Sequence, residues 1–304
     1  MVVDLVVFTI LLPMAVTAVI LFAVLRRLAT QPSSGRLISG LALGLGYLAG
    51  NLSLSIKSAD AINLRVCYVA VAALLLGALE LYWRKRVRYL LRLVVCFAAA
   101  GWIAAPLIGP QGWTVLTTAL WISAIAGASF VFWTALAAQA EVEPGPSLAF
   151  ALLALGTVSA ATVVMSALNA SGQLLGALVA SLSLVFLLVW RYPAVGRLSS
   201  AAPVVALVTV SHWSQGLLYG ELPKSAFALL TVAPLVLLLA RWAPLRRAKP
   251  RVAFVVRMVL LMLPLLGAAG LTALKYFDVR LGAPPASKAT PADAPQQDDS
   301  YGYD

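Results

Sequence analysis

Charge is scarce in this chain: Asp, Glu, Lys and Arg make up 11% of 304 residues, against roughly a quarter in an average soluble domain. With 62% hydrophobic residues and a mean hydropathy of +0.95, too little polar side chain remains to cover a water-exposed surface. Histidine occurs once, at His212, and cysteine twice, at Cys67 and Cys96, both inside apolar stretches. A single histidine excludes HExxH and multi-histidine metal centres, and two distant cysteines form neither a disulfide framework nor a CxxC pair. No GxSxG elbow, P-loop or intramembrane aspartate pair is present. The expectation is therefore a protein with no metal and no cofactor, and not an enzyme.

What the chain does have is long apolar runs. They fall at about 3–25, 37–55, 66–83, 89–108, 114–137, 148–168, 174–190, 202–219, 224–242 and 252–274. A helix needs roughly 20 apolar residues to cross a hydrocarbon core of about 30 Å, and these runs approach or reach that length. Barrel strands would be about half as long and would alternate in polarity. The sequence thus predicts an all-α, polytopic transmembrane helix bundle of about ten spans with short loops, occupying residues 1–278. Residues 279–304, rich in Pro, Ala, Asp and Gln, have too little apolar surface to order and are expected to form a disordered tail.

The net charge of +11 does not point to nucleic acid, because the cations lie in short clusters between apolar runs. Basic residues in short loops favour the cytoplasm. With the N-terminus outside, the inner loops and their edges collect sixteen of the 22 cations, among them Arg26, Arg27, Arg84, Lys85, Arg86, Arg88, Arg92, Arg246 and Arg247. Lys57, Arg65, Lys224, Lys275, Arg280 and Lys288 are left outside. An even number of spans then places both termini on the non-cytoplasmic side. The first run reads as a retained span rather than a signal peptide, since Asp4 precedes it and Arg26 and Arg27 follow it.

A few polar residues interrupt the runs and are candidates for a substrate pathway. His212 lies near the middle of its span, and Thr209, Gly216 and Tyr219 share its helical face at steps of three and four. Ionisable groups at that depth mark ion or proton paths, although a neutral imidazole also serves as a hydrogen-bonding link between helices. Thr162, Ser166, Asn169 and Gln173 recur at steps of four, three and four. This is either the lining of a hydrophilic cavity or packing glue. Glu80 is the one acidic residue within the body of a span, with Arg84 one turn later on the same face. An interfacial ion pair with Arg84 or a proton-coupling role are its two readings. Gly40, Gly44, Gly46 and Gly50 permit close helix approach, and Asn51, Ser53 and Ser55 satisfy each other or water. Pro234 and Pro264 are expected to kink their helices.

The phrases LALGLGYLAGNLSL, LNASGQLLGALVASLSLVFLLVWRYPAVGRLSS and LYGELPKSAFALLTVAPL resemble a group of uncharacterised polytopic membrane proteins of planctomycete-type bacteria. That resemblance implies a bacterial inner membrane and carries no mechanism. In size the chain is also similar to the drug/metabolite transporter superfamily, whose members pair two inverted five-helix halves. A split at 139–147 gives halves 1–138 and 148–274. The chain departs from that superfamily in placing both termini outside.

Two functions follow as expectations. One is a small-solute permease, with the bilayer and a solute as its partners. The alternative is a non-catalytic membrane scaffold or accessory subunit that binds a membrane-protein partner.

Overall fold

The computed structural model describes residues 6–28, 35–58, 61–108, 113–142, 145–192, 197–241, 247 and 249–281. Among the described residues there are ten α-helices and no strand, one helix for each predicted apolar run. Helix α1 (Leu12–Leu28) is entered through a π-helical turn, Val7–Leu11. It is followed by α2 (Gly35–Ser58), α3 (Ala61–Leu79), α4 (Lys85–Ala104), α5 (Val115–Val142), α6 (Pro146–Met165) and α7 (Asn169–Val189). Helices α8 (Ala202–Leu218), α9 (Lys224–Val232) and α10 (Pro250–Leu281) complete the bundle. Helix α10 runs to Leu281, past the expected start of the tail, and residues 282–304 lie outside the described residues.

Helices α2 to α7 and α10 are long and apolar enough to cross a membrane. Their outward faces carry large apolar side chains such as Leu75, Leu90, Leu187 and Leu263, a surface suited to lipid and costly in water. Helix α1 with its leading turn and α9 are shorter apolar segments.

Local residues explain where the helices stop. Gly145 has φ 146°, which only glycine adopts readily, and Pro146 then starts α6. Ala167, at φ 66°, turns the chain between α6 and α7. Pro234 converts the end of α9 into a 3₁₀ segment, Ala233–Arg241, because its ring removes an i→i−4 bond. Pro264, in contrast, stays inside an uninterrupted α10.

Helix α8 is the hub. Every residue from Ala202 to Gly216 is buried, and the helix packs against α2 to α7 and against α9. At about 1.5 Å per residue its 17 residues span about 26 Å, short for a lipid-facing span but enough for a helix enclosed by others. Around it α2 lies against α7 and α3 against α8. The glycine stripe of α2 packs as expected. A Cβ on Gly46 would collide with Thr17 and Ser181, and one on Gly50 would come within 2.9 Å of Ala177 Cβ.

One end of the bundle is tied by hydrogen bonds between chain reversals: Tyr219 Oη donates to the Ile103 carbonyl at 2.6 Å, and Glu221 N to the Ser166 carbonyl at 2.8 Å. Arg65 donates to the Trp102 carbonyl and Lys275 to that of Glu221 at the same end. This is the α2–α3 end. The RKRVR cluster lies at the opposite, α3–α4 end.

Candidate functional site

The centre of the bundle holds an uncharged polar chain contributed by α2, α3, α7 and α8. His212 is fully buried on α8. Its Nδ1 lies 3.0 Å from Gln215 Oε1 and its Nε2 lies 2.9 Å from Tyr47 Oη on α2. Asn51 Nδ2 donates to Tyr47 Oη at 2.7 Å, and Ser55 Oγ to Asn51 Oδ1 at 2.7 Å. On the other side, Ser171 Oγ of α7 donates to Gln215 Oε1 at 2.9 Å, with Asn63 Oδ1 of α3 at 3.3 Å. Gln215 Nε2 donates to the Ile62 carbonyl at 3.1 Å. Tyr47, Asn51, Ser55, Asn63, Ser171 and Gln215 are all buried.

Hydrogen counting assigns the direction of each bond. An amide oxygen only accepts, so the hydrogen between His212 and Gln215 sits on Nδ1. Nε2 is then bare and accepts the Tyr47 hydroxyl hydrogen, while the Tyr47 oxygen accepts from Asn51. Each bond hands the next group the role it needs. A second hydrogen on the ring would leave the Tyr47 hydroxyl hydrogen without an acceptor. The network is thus built for a neutral imidazole. Networks of this kind hold helices together as long as each group keeps a partner, because a lost partner leaves a buried group unpaired.

The other predicted residues are spread around this centre. Thr209 is fully buried one turn before His212, and its hydroxyl has no partner among the described residues. Ser159, on α6, is likewise buried and unpartnered. Tyr219 closes α8 as a C-cap residue with φ −120°, so its ring leaves the His212 face and reaches α4 instead. Thr162 and Ser166 bond to carbonyls of their own helix, those of Val158 and Val163.

The expected stripe Thr162–Ser166–Asn169–Gln173 is broken. Helix α6 ends at Met165 and the turn at Ala167 assigns Asn169 and Gln173 to α7, where Asn169 is exposed. Of the triplet on α2, Asn51 and Ser55 bond to each other, whereas Ser53 bonds to the Ala49 carbonyl of its own turn.

Glu80 pairs with Arg92 of α4, not with Arg84. The α3 helix gives way to a 3₁₀ turn at Glu80–Tyr82, and Arg84 is extended at ψ 148°, so no helical i+4 neighbour exists. Arg92 makes both a hydrogen bond and a salt bridge to Glu80 Oε1, and Trp133 Nε1 of α5 donates to Oε2 at 3.2 Å. The guanidinium also lies 5.4 Å from the ring centroids of Trp133 and Tyr89. Both ionic side chains are buried and paired with each other.

Tyr47, Asn63, Ser171, Gln215 and Arg92 are the functional residues that sequence reasoning missed. Gln215 was legible as a polar residue three positions from His212. Tyr47 lies inside the apolar run 37–55, where nothing local distinguishes it from a packing residue. Cys67 and Cys96 are free and buried, and no group of His, Cys, Asp and Glu suited to a metal occurs among the described residues. Comparison with known proteins gives no relative: no protein-family model, no curated protein and no solved structure matches the chain.

Proposed function

We propose that this chain is a multi-pass small-solute permease made of two five-helix halves, 1–138 and 148–274, and that the His212 network is the centre where they meet. The observation that carries this reading is the placement of the network. It draws only on α2, α3, α7 and α8, the second and third helices of each half, and these touch as counterparts, α2 with α7 and α3 with α8. In carriers built from inverted halves, counterpart helices that touch lie at the axis relating the halves, which is where solute sites form.

The register fits such an axis. Gly46 meets Ser181 while Gly50 meets Ala177, and Ile62 meets Gln215 while Gly77 meets Ser200, so both counterpart pairs run antiparallel. The centre presents hydroxyl, amide and imidazole groups with no formal charge. It suits an uncharged polar solute that replaces the internal bonds of Ser171, Gln215 and His212 one for one. The positive-inside pattern orients the α2–α3 end outward in a bacterial inner membrane, with both termini on that side. The chemistry is binding and passage, with no catalytic group.

The scaffold reading is favoured by one specific observation. Trp133, Trp213, Phe132 and Tyr47, on α8 and on the helices against it, are the largest fully buried side chains, as expected of a core that only packs.

A single experiment separates the two. Asn51, Ser55, Asn63 and Ser171 are replaced one at a time by cysteine in a background lacking Cys67 and Cys96. Intact cells are then treated with a membrane-impermeant thiol reagent. The permease reading expects labelling of these buried positions through transient opening of the α2–α3 end. Protection of all four, in variants shown to fold, would reject it in favour of the scaffold.

A further inference from the structure

A second polar feature lies at the other end of the bundle and is not part of the His212 network. Between the first turns of α4 and the last turns of α5 is a cavity of about 170 Å³. It is large enough for several waters or a small ionic group, since one water occupies about 10–15 Å³ on this measure. Lys85, Arg88 and Arg92 line it at steps of three and four, so all three cations lie on one face of α4. Tyr89, Thr134 and Glu141 complete the polar part of the wall.

The lining is not self-sufficient. Arg92 is occupied by Glu80, but Arg88 Nε and Thr134 Oγ1 are buried atoms with no hydrogen-bond partner among the described residues. Neither Lys85 nor Arg88 has an ion pair among the described residues. A buried guanidinium N–H and a buried hydroxyl left unpaired are costly, and both belong to residues that line this one cavity. The acids at hand, Glu80 and Glu141, leave the three cations with one positive charge in excess. Arg88 and Arg92 also line a neighbouring crevice that contains Trp83, and aromatic rings at the ends of spans favour the headgroup layer.

We propose that this cavity binds a phosphate group, with Arg88 and Thr134 donating to its oxygens from opposite walls and Lys85 supplying charge at the mouth. A guanidinium with a hydroxyl beside it matches the several acceptor oxygens of phosphate better than any neutral group. The same chemistry is offered by the headgroup of an anionic lipid and by free phosphate. Basic pockets between membrane helices on the cytoplasmic side hold lipid headgroups in this manner.

The test uses the full chain in nanodiscs, with Tm read for wild type, Arg88→Gln and Thr134→Val. Three conditions are compared: phosphatidylcholine alone, phosphatidylcholine with phosphatidylglycerol, and phosphatidylcholine with inorganic phosphate added. Ligand occupancy is expected to raise the wild-type Tm by about 3–5 °C, with the rise lost in both variants. A rise with phosphatidylglycerol alone supports the site with lipid as its source, and a rise with inorganic phosphate supports it with a soluble source. No rise under either condition would overturn the proposal, as would equal rises in wild type and variants, which would reflect bulk surface charge. Thr134→Val exchanges a hydroxyl for a methyl of similar shape, and it decides alone where Arg88→Gln does not fold.

Discussion

The two polar regions of this bundle solve the problem of burial in opposite ways. At the centre, seven neutral residues from four helices hydrogen-bond to one another and to one carbonyl, with no charged group among the described residues of the network. At the α3–α4 end, Glu80 and Arg92 are buried as ions. They survive there because each is held by the other and by Trp133. The neutral network can be rewired bond by bond, since each lost hydrogen bond costs little more than the group left unpaired. The ionic cluster cannot, since removing either partner strands a full charge. A moving part is therefore expected at the centre and a fixed strut at the α3–α4 end.

The largest effect is expected where a charge is stranded. Glu80→Ala leaves Arg92 buried without its acid and should destabilise the folded bundle by about 3–5 kcal/mol, read as a loss of Tm in detergent. Replacing both partners, Glu80→Leu with Arg92→Met, should recover most of that loss. If the single and double variants were equally unstable, the cluster would not be a paired strut.

Next comes the centre. His212→Phe leaves the Tyr47 hydroxyl hydrogen without its acceptor and removes one of the two donors to the Gln215 oxygen, and should cost about 1–3 kcal/mol. Tyr47→Phe cuts the same bond and also removes the acceptor of Asn51 Nδ2, so it should cost a similar amount and add only in part in the double variant. Full additivity in a thermal-melt cycle would mean that the two residues act separately.

Gly46→Ala introduces a Cβ into the seam between α1, α2 and α7 and should cost about 1–3 kcal/mol through overpacking. A neutral result would show that this seam is looser than the centre it supports. The smallest effect is expected at Asn169, which is exposed. Asn169→Ala should change stability by less than about 0.5 kcal/mol, which marks it as outside both regions.

The helices were legible because lipid imposes length and uniform apolarity on each one, so all ten runs could be read directly. His212 was legible as the one histidine at membrane depth. Its partners were not, because Tyr47 and Gln215 differ from interfacial or packing residues only in what faces them across the bundle. The stripe through Thr162 and Asn169 failed at Ala167, a residue whose left-handed backbone has no sequence signature. The Glu80–Arg84 pairing failed for a related reason. Periodicity assumes an unbroken helix, and the 3₁₀ turn at Glu80–Tyr82 ends it there. Local pattern thus located the elements, while partners across the bundle depended on how the helices pack.

The measurement that tests the moving centre most directly is the distance between the two halves at the α2–α3 end. Spin labels at Val115 on α5 and Leu274 on α10, both exposed and on opposite halves, report it by pulsed electron spin resonance in nanodiscs. The account predicts two distance populations whose balance shifts in His212→Phe. A single narrow distance, unchanged in that variant, would contradict it and leave a rigid bundle that only packs.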